Sequence, residues 1–269
     1  MMLATKFTKI EGHKLRYFTL GQRSNTPLLL LHGYPDNLQV WHKIAPMLAE
    51  KYFVLGIDWP GMGYSDDSRG GATPLAKAKK IRTIIAHFEL EKVNILAQDM
   101  GGQAALVFAA EFPECVHQVW VMNSLLMWNE KTSWEIELLR KFKFNQFIIA
   151  QFPRQVFWRA VNTFVSDPKS ISKELRQDLW TSFQTKPVRK YIVRMCAGYE
   201  AQLNKLPDYY QKITCPVHLI WAEDGKHFSV GHAHRFQEIC QQTKVSIVEG
   251  AAHWMVLEQP EQIARLVRQ

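Results

Sequence analysis

The sequence from position 93 to position 110 reads Val93-Asn94-Ile95-Leu96-Ala97-Gln98-Asp99-Met100-Gly101-Gly102-Gln103-Ala104-Ala105-Leu106-Val107-Phe108-Ala109-Ala110. Its first part is a short apolar run with β-branched residues, typical of a buried strand, and its last part is an alanine-rich pattern that favours a helix. Between them, Asp99 is followed by Met100 and two glycines. This stretch predicts a tight strand-to-helix turn that presents a carboxylate beside a helix N-terminus.

Strand and helix patterns alternate on both sides of this turn. Continuous apolar runs are typical of strands buried on both faces, and wider apolar spacing indicates helices. In chain order the patterns predict a hairpin over 7–20, strands at 27–31 and 53–57, helices over 40–50 and 73–90, and strands at 118–122, 217–221 and 245–248. This order predicts an α/β protein with a mostly parallel central sheet flanked by helices.

The alternation fails from residue 125 to residue 213, where helical stretches follow one another. We interpret this segment as an inserted helical cap, or lid, on a core domain formed by residues 1–124 and 214–269. Thr132-Ser133-Trp134-Glu135 resembles a capping box that begins one of its helices. Its aromatic residues either line the underside of the cap or form the cap's own core; they are Phe144, Phe147, Phe152, Phe157 and Trp158.

The composition is that of an ordinary globular protein. Of the 269 residues, 47% are hydrophobic and 22% are charged, which argues against disorder. No apolar run approaches the ~18 residues of a membrane span, and the N-terminus lacks the apolar region of a signal peptide. The four cysteines are far apart and form no CxxC pair. This spacing favours neither a zinc site nor a disulfide framework, and we expect a cytoplasmic protein without a metal or cofactor.

The net charge of +8 is concentrated in the insertion. Between Lys131 and Lys212 there are fifteen Lys or Arg and seven Asp or Glu, an excess of eight. The main interpretation is a solvated basic surface, and the alternative is an anionic substrate or partner. The sequence has no arginine-rich run that would indicate nucleic-acid binding, and no feature that would indicate membrane binding. The expected partner is a small-molecule substrate, and the oligomeric state stays open.

Three motifs together resemble the α/β-hydrolase fold, and specifically its aspartate-nucleophile branch of epoxide hydrolases and haloalkane dehalogenases. They are His32-Gly33-Tyr34-Pro35, Gln98-Asp99-Met100-Gly101-Gly102 and Gly250-Ala251-Ala252-His253. The resemblance covers essentially the whole chain.

The resemblance implies that Asp99 attacks an electrophilic carbon and forms an ester, and that His253 activates the water that hydrolyses it. It also implies an oxyanion hole made by the backbone N–H groups of Tyr34 and Met100, with His32 bracing the loop. A carboxylate suits this attack because it is already an anion at about pH 7. The plainer interpretation is that Asp99 only caps the following helix.

The acid that orients His253 departs from the family pattern. The family's motif resembles Trp-Gly-x-x-Asp, whereas Trp221-Ala222-Glu223-Asp224-Gly225 has glycine at the carboxylate position. We predict that Asp224, one residue earlier, serves instead, with Glu223 as the second choice; either could be only a solvated turn residue. Some dehalogenases take this acid from the end of the preceding strand. Asn123 stands there and cannot carry the charge.

Two further positions bear on the leaving group. Met100 stands where haloalkane dehalogenases typically carry a halide-binding tryptophan. Tyr199 resembles one of the two cap tyrosines with which epoxide hydrolases protonate the opening ring, but no tyrosine stands near Asn145, where the other is expected. We therefore predict an epoxide hydrolase-like enzyme. The alternatives are a haloalkane or haloacid dehalogenase with the same machinery, and a catalytically weak hydrolase-like scaffold that binds a ligand.

Overall fold

A computed structural model of the chain describes residues 1–68, 70–197 and 199–269, with the backbone alone at 139, 140, 142, 143, 199 and 200. The described strands form one eight-stranded sheet in the order β1-β2-β4-β3-β5-β6-β7-β8. Their bounds are β1 Lys6–Ile10, β2 His13–Leu20, β3 Pro27–Leu31, β4 Phe53–Ile57, β5 Val93–Gln98, β6 Val116–Met122, β7 Val217–Ala222 and β8 Thr243–Val248. The pairs β1–β2 and β2–β4 are antiparallel, and all the others are parallel. The predicted α/β class is confirmed.

Helices cover both faces of this sheet. The core helices are α1 Ala45–Leu48, α2 Pro74–His87, α3 Met100–Glu111, α11 Val230–Ile239, α12 Met255–Glu258 and α13 Pro260–Arg268. Helix α3, which follows the central strand β5, is buried along nearly its whole length. Such burial explains why its sequence is apolar on all sides rather than amphipathic.

The helix predicted over 40–50 is not continuous. A five-residue 3-10 helix covers Leu38–His42 and is followed by the four-residue α1, with Pro46 in its first turn. Proline has no backbone N–H to donate within a helix, so it fits at a helix start and interrupts a longer one.

Seven described helices lie between β6 and β7, in the segment interpreted as a cap. They are α4 Trp134–Arg140, α5 Phe142–Gln151, α6 Pro153–Thr163, α7 Lys173–Phe183, α8 Lys186–Ala197, α9 Tyr199–Leu203 and α10 Leu206–Tyr210. The N-cap of α4 is Ser133, one residue later than the Thr132 with which the predicted capping box begins, and its hydroxyl makes no cap hydrogen bond. None of the helices in the described chain is long and apolar enough to cross a membrane.

Two of the aromatic residues of the insertion, Phe144 and Trp158, line a cavity, and the other three divide between the insertion's core and its exposed surface. Phe157 is fully buried and packs against Phe183 with ring centroids 5.2 Å apart, so it belongs to the insertion's own core. Phe147 and Phe152 are exposed.

The insertion is attached to loops at the carboxyl edge of the sheet. The backbone N–H of Trp254, after β8, donates to the carbonyl of Phe164 at 2.8 Å. The amide of Asn37, after β3, donates to the Asp178 carboxylate in α7 at 2.8 Å. Ligands of open parallel sheets bind at this edge, so the insertion lies where it can shape a site.

Candidate active site

Asp99 occupies a strained backbone conformation between β5 and α3. Its φ of 50° and ψ of −129° are rarely adopted by a residue with a side chain, and such conformations cost about 1–3 kcal/mol. Three hydrogen bonds hold it there: its N–H donates to the Met122 carbonyl at 3.0 Å, and its carbonyl accepts from the Gly102 N–H at 3.0 Å and the Ser124 hydroxyl at 2.7 Å. The turn predicted from the sequence is therefore present, with its carboxylate thrust out of the sheet.

Two glycines permit the close packing of this turn. A Cβ added at Gly33 would lie 2.4 Å from the Asp99 Cβ, and one at Gly101 would lie 2.6 Å from the Leu31 carbonyl oxygen. Real Cβ atoms do not approach other atoms so closely. Glycine at these positions therefore lets the loop after β3 and the start of α3 lie directly against Asp99.

The Asp99 carboxylate is held from two sides. One oxygen, Oδ1, accepts a hydrogen bond from the Met100 backbone N–H. The other, Oδ2, is 3.0 Å from Nε2 of His253. The Asp99 side chain is 13% exposed and that of His253 is 2% exposed. The structure thus brings together the predicted nucleophile, the predicted base and one of the two predicted oxyanion-hole donors.

The second predicted donor, the Tyr34 backbone N–H, lies in the loop that Gly33 packs against Asp99. Among the described residues this N–H has no hydrogen-bond acceptor. His32 braces the loop: its Nε2 accepts from the Trp59 N–H at 3.1 Å, so Nδ1 carries the proton and lies 2.9 Å from the Gly33 carbonyl and 3.2 Å from Asp36 Oδ1. These bonds fix the loop that carries the Tyr34 N–H.

Aromatic rings surround the His253 imidazole. Its centroid is 4.4 Å from that of Phe164, 5.6 Å from that of Phe228 and 5.8 Å from that of His227. Asn123 fixes the backbone rather than the ring, since its amide donates to the His253 carbonyl at 2.9 Å and accepts from the Ala222 N–H at 3.0 Å.

The structure does not bring Asp224 to His253. Asp224 and Glu223 are both exposed, and within the described part of the chain Asp99 is the one hydrogen-bond partner of the His253 ring. Their exposed position follows from the motif, in which glycine stands where the family has its carboxylate. The Glu223 and Asp224 side chains branch from the chain directly after β7, before the loop turns toward His253. The side chain of Tyr199, the predicted proton donor, lies outside the described residues.

His227 is a site residue that the sequence analysis missed. Its Nδ1 is 2.7 Å from the Ser133 hydroxyl, and its Nε2 is 3.2 Å from the Thr163 hydroxyl. Burial, assisted by neighbouring His253, lowers the pKa of His227 to about 4. The ring is therefore neutral at neutral pH and joins the insertion to the core.

Lys77 is a second residue that no sequence pattern indicated. It is 2% exposed, and its Nζ lies 3.5 Å from the Met100 sulfur and 3.2 Å from the Met195 sulfur. Burial, with a smaller contribution from Lys80, lowers the pKa of Lys77 to about 7, and the Asp99 carboxylate opposes this shift. A buried amine thus lies within electrostatic range of the candidate nucleophile.

A cavity of about 640 Å³ lies between the insertion and the loop after β3. Two of its lining residues, Phe164 and His227, pack against His253, and a third, Tyr34, follows Gly33. The remaining wall is largely apolar and aromatic, and it includes Trp134, Phe144, Ile148, Val156 and Trp158. The cavity therefore suits a mainly apolar small molecule beside the rings that pack on His253.

A carboxylate on a strained strand-to-helix turn, bonded to a histidine from the loop after the last strand, defines an enzyme of the hydrolase class. Residues 26–260 match the family model described as alpha/beta hydrolase fold, and the chain belongs to this family. The predicted superfamily is thereby confirmed.

Individual relatives are distant. The chain is 23% identical to the soluble epoxide hydrolase of Corynebacterium sp. (strain C12), with 94% of this chain and 91% of that protein covered. The structure of epoxide hydrolase CorEH superimposes with a TM-score of 0.84 at 21% identity, covering 98% of this chain and 96% of that one. The haloalkane dehalogenase DbeA from Bradyrhizobium elkani gives a TM-score of 0.85 at 20% identity, with the same coverage. These structural likenesses establish the fold.

Proposed function

We propose that this hydrolase opens an epoxide, or a similarly activated carbon, through a covalent ester on Asp99. The observation that carries the proposal is the pair of contacts made by the Asp99 carboxylate. Oδ1 accepts a hydrogen bond from the Met100 N–H, and Oδ2 lies 3.0 Å from His253 Nε2. The curated relative from Corynebacterium, a soluble epoxide hydrolase, supports the same chemistry.

In the first step, the Asp99 carboxylate attacks the substrate carbon. Oδ2 forms the new C–O bond, and the epoxide C–O bond breaks with its electron pair on the epoxide oxygen, which takes a proton from a general acid, the role predicted for Tyr199. Oδ1 stays on the Met100 N–H and becomes the ester carbonyl oxygen. The fixed turn matters because it holds an anion in place for the attack without a prior proton transfer.

In the second step, water attacks Cγ of the Asp99 ester. His253 Nε2 takes one proton from this water, and the negative charge that develops on Oδ1 is stabilised by the N–H groups of Met100 and Tyr34. The alcohol oxygen leaves with the proton held by His253, and the proton left on the Asp99 carboxyl regenerates the acid that protonated the epoxide oxygen, so the net change is addition of one water to the substrate. Asp224 takes part as the orienting acid only if its loop brings it to His253 Nδ1, and in this proposal it is the least supported member of the site.

The insertion acts in this proposal as a lid. Phe164 and Asp178 attach it to the loops that carry His253 and the oxyanion hole, so its helices enclose the site while leaving the cavity for the substrate and room for the water that attacks the ester.

Isotope labelling tests the covalent step. After a single turnover in ¹⁸O-water, peptide mass spectrometry should find the label on Asp99, because the attacking water first enters the ester carboxyl. His253→Gln should accumulate the ester, seen as an intact mass increase equal to one substrate. Label found only in the product, with no ester in His253→Gln, would overturn the mechanism. Retained ligand binding by Asp99→Asn, with no turnover by the parent enzyme of any substrate, would instead favour the scaffold.

A further inference from the structure

Lys77, in helix α2, is buried without a carboxylate in contact with its amine. The residue is 2% exposed, and in the part of the chain that the structure describes its Nζ belongs to no ion pair. Nζ contacts two sulfurs instead, that of Met100 at 3.5 Å and that of Met195 at 3.2 Å. It also lies 5.4 Å from the ring centroid of Trp59 and 5.7 Å from that of Tyr191. An amine buried in this way opposes folding, so packing alone does not explain a lysine at this position.

The contact with Met100 brings the amine to the residue that follows the candidate nucleophile. Helix α3 begins at Met100, and the N–H of this residue donates to Asp99 Oδ1. The Asp99 carboxylate acts on the Lys77 amine in return, because it opposes the lowering of the Lys77 pKa by burial. Such an interaction is reciprocal, so a charge on Lys77 favours negative charge on Asp99 to the same extent.

Asp99 is the anion among the groups that act on Lys77. The other charged or titratable groups are Lys80 on the same helix and Cys196 in α8. Burial raises the pKa of Cys196 to about 12, and it also raises the pKa of Tyr191, whose ring packs over the ammonium. The thiol and the phenol therefore stay neutral near neutral pH. The field of the ammonium acts on one negative charge, and screening by water is weak in a buried site.

We propose that Lys77, through the field of its ammonium, stabilises negative charge on the Asp99 side chain and so favours the oxyanion formed when the Asp99 ester is hydrolysed. This inference rests on the proposed function. Lys77 touches none of the reacting atoms and transfers no proton, so it is a positioning residue.

The ammonium should affect the two chemical steps differently. Ester formation removes the charge from Asp99, whereas ester hydrolysis starts from a neutral ester and develops negative charge on Oδ1. The ammonium should therefore speed ester hydrolysis without speeding ester formation.

Lys77→Met tests this difference in single turnovers that follow the Asp99 ester by mass. Terminal aryl and alkyl epoxides are screened with the wild-type enzyme, and the best one is used. At acid pH, where wild-type Lys77 is charged, the variant should hydrolyse the ester at least about tenfold more slowly. It should form the ester at least as fast as the wild type. Because methionine removes a buried charge, slower hydrolysis would not come from a less stable fold.

The pH dependence separates the ammonium charge from the packing of the lysine stem. The pKa of Lys77 is about 7 with the Asp99 anion present, and it is lower in the ester, where that anion is gone. The wild-type advantage in ester hydrolysis over Lys77→Met should therefore be largest at the acid end and should vanish as pH rises. Lys80→Met removes a cation that lowers the Lys77 pKa, so it should move this decline to higher pH. A wild-type advantage that does not change with pH would show only a structural role and would overturn the inference.

Lys79→Met is the matched control, because Lys79 is an exposed lysine of the same helix. This variant should form and hydrolyse the ester at wild-type rates. Equal rates of ester hydrolysis in the wild type and Lys77→Met at every pH would overturn the inference and leave the Asp99 mechanism intact.

A comparison without substrate tests the coupling independently of the proposed function. At acid pH, Lys77→Met should raise the melting temperature more in an Asp99→Asn background than in the wild type, because the carboxylate offsets part of the cost of the buried charge. Equal increases in the two backgrounds would overturn the inference. Failure of every epoxide to form an Asp99 ester, with this coupling present, would instead overturn the proposed function.

Discussion

Replacing Lys77 by methionine should stabilise the protein at neutral pH. Burial lowers the pKa of Lys77 from 10.5 to about 7. Each pKa unit corresponds to about 1.4 kcal/mol, so a charged amine at this position lowers the free energy of unfolding by about 5 kcal/mol relative to a neutral one. Methionine keeps an unbranched apolar stem. After allowing about 1 kcal/mol for the lost cation–π contacts with Trp59 and Tyr191, we expect a gain of about 3 to 4 kcal/mol at pH 7.

The gain should depend on pH with a definite sign. Between the folded-state pKa of about 7 and the unfolded value of 10.5, the unfolded chain keeps the Lys77 proton that the folded chain releases. The wild-type free energy of unfolding therefore receives a contribution that rises with pH through this window. Lys77→Met lacks this contribution, so the advantage of the variant should be largest at the acid end and should vanish above the unfolded pKa.

Urea unfolding of both proteins at several pH values checks this prediction. Groups distant from Lys77 titrate alike in the two proteins and cancel in the difference. Lys79→Met, which changes an exposed lysine of the same helix, is the control and should shift stability by less than about 0.5 kcal/mol. A Lys77→Met advantage that does not change with pH, or a variant less stable than wild type at neutral pH, would refute the reasoning.

Three further predictions concern the site. Gly33→Ala should cost at least about 2 kcal/mol of stability and most of the activity, because its Cβ would lie 2.4 Å from that of the nucleophile. By contrast, Gly231→Ala in helix α11 should stabilise the protein by about 0.5–1 kcal/mol in thermal melts. Asp224→Asn should lower kcat less than about tenfold while His253→Gln stops turnover; a loss near 10⁴ in Asp224→Asn would show that its loop reaches the imidazole. Since the pKa of His227 falls from 6.5 to about 4, wild-type stability should drop by about 3 kcal/mol more than that of His227→Gln as pH falls through this window, measured by urea unfolding.

The parts of the fold that followed from the sequence are those in which one local pattern has one structural solution. The apolar runs at 27–31 and 53–57 became β3 and β4 with unchanged bounds, because strands covered on both faces need continuous apolar sequence. The turn at Asp99 was equally predictable, since a strand pattern, a glycine pair and a helix pattern meet there. Its partnership with His253 came from the order of motifs along the whole chain.

The residues that the sequence did not reveal depend on neighbours distant along the chain. Lys77 looks like one of several lysines in an amphipathic helix, and the packing of Met100 and Met195, which are distant along the chain, shows that it is buried. His227 likewise contacts Ser133 and Thr163 only when the insertion folds over the core. Asp224 shows the opposite case, in which a residue with suitable chemistry near the expected position is turned toward solvent.

The features that oppose stability are concentrated around one carboxylate. Asp99 itself has a strained backbone, and Lys77 is a buried amine in contact with the next residue, Met100. Departures from local rules are expected where function requires them.

A scaffold that only enclosed an apolar ligand would need the cavity but neither a strained carboxylate nor a cation within its electrostatic range. The same Lys77 charge that lowers stability would favour negative charge on the Asp99 side chain, in the carboxylate and again in the oxyanion formed during ester hydrolysis. We therefore expect the more stable Lys77→Met enzyme to hydrolyse its ester more slowly. A buried charge that lowers stability but raises the rate of ester hydrolysis argues for catalysis at Asp99.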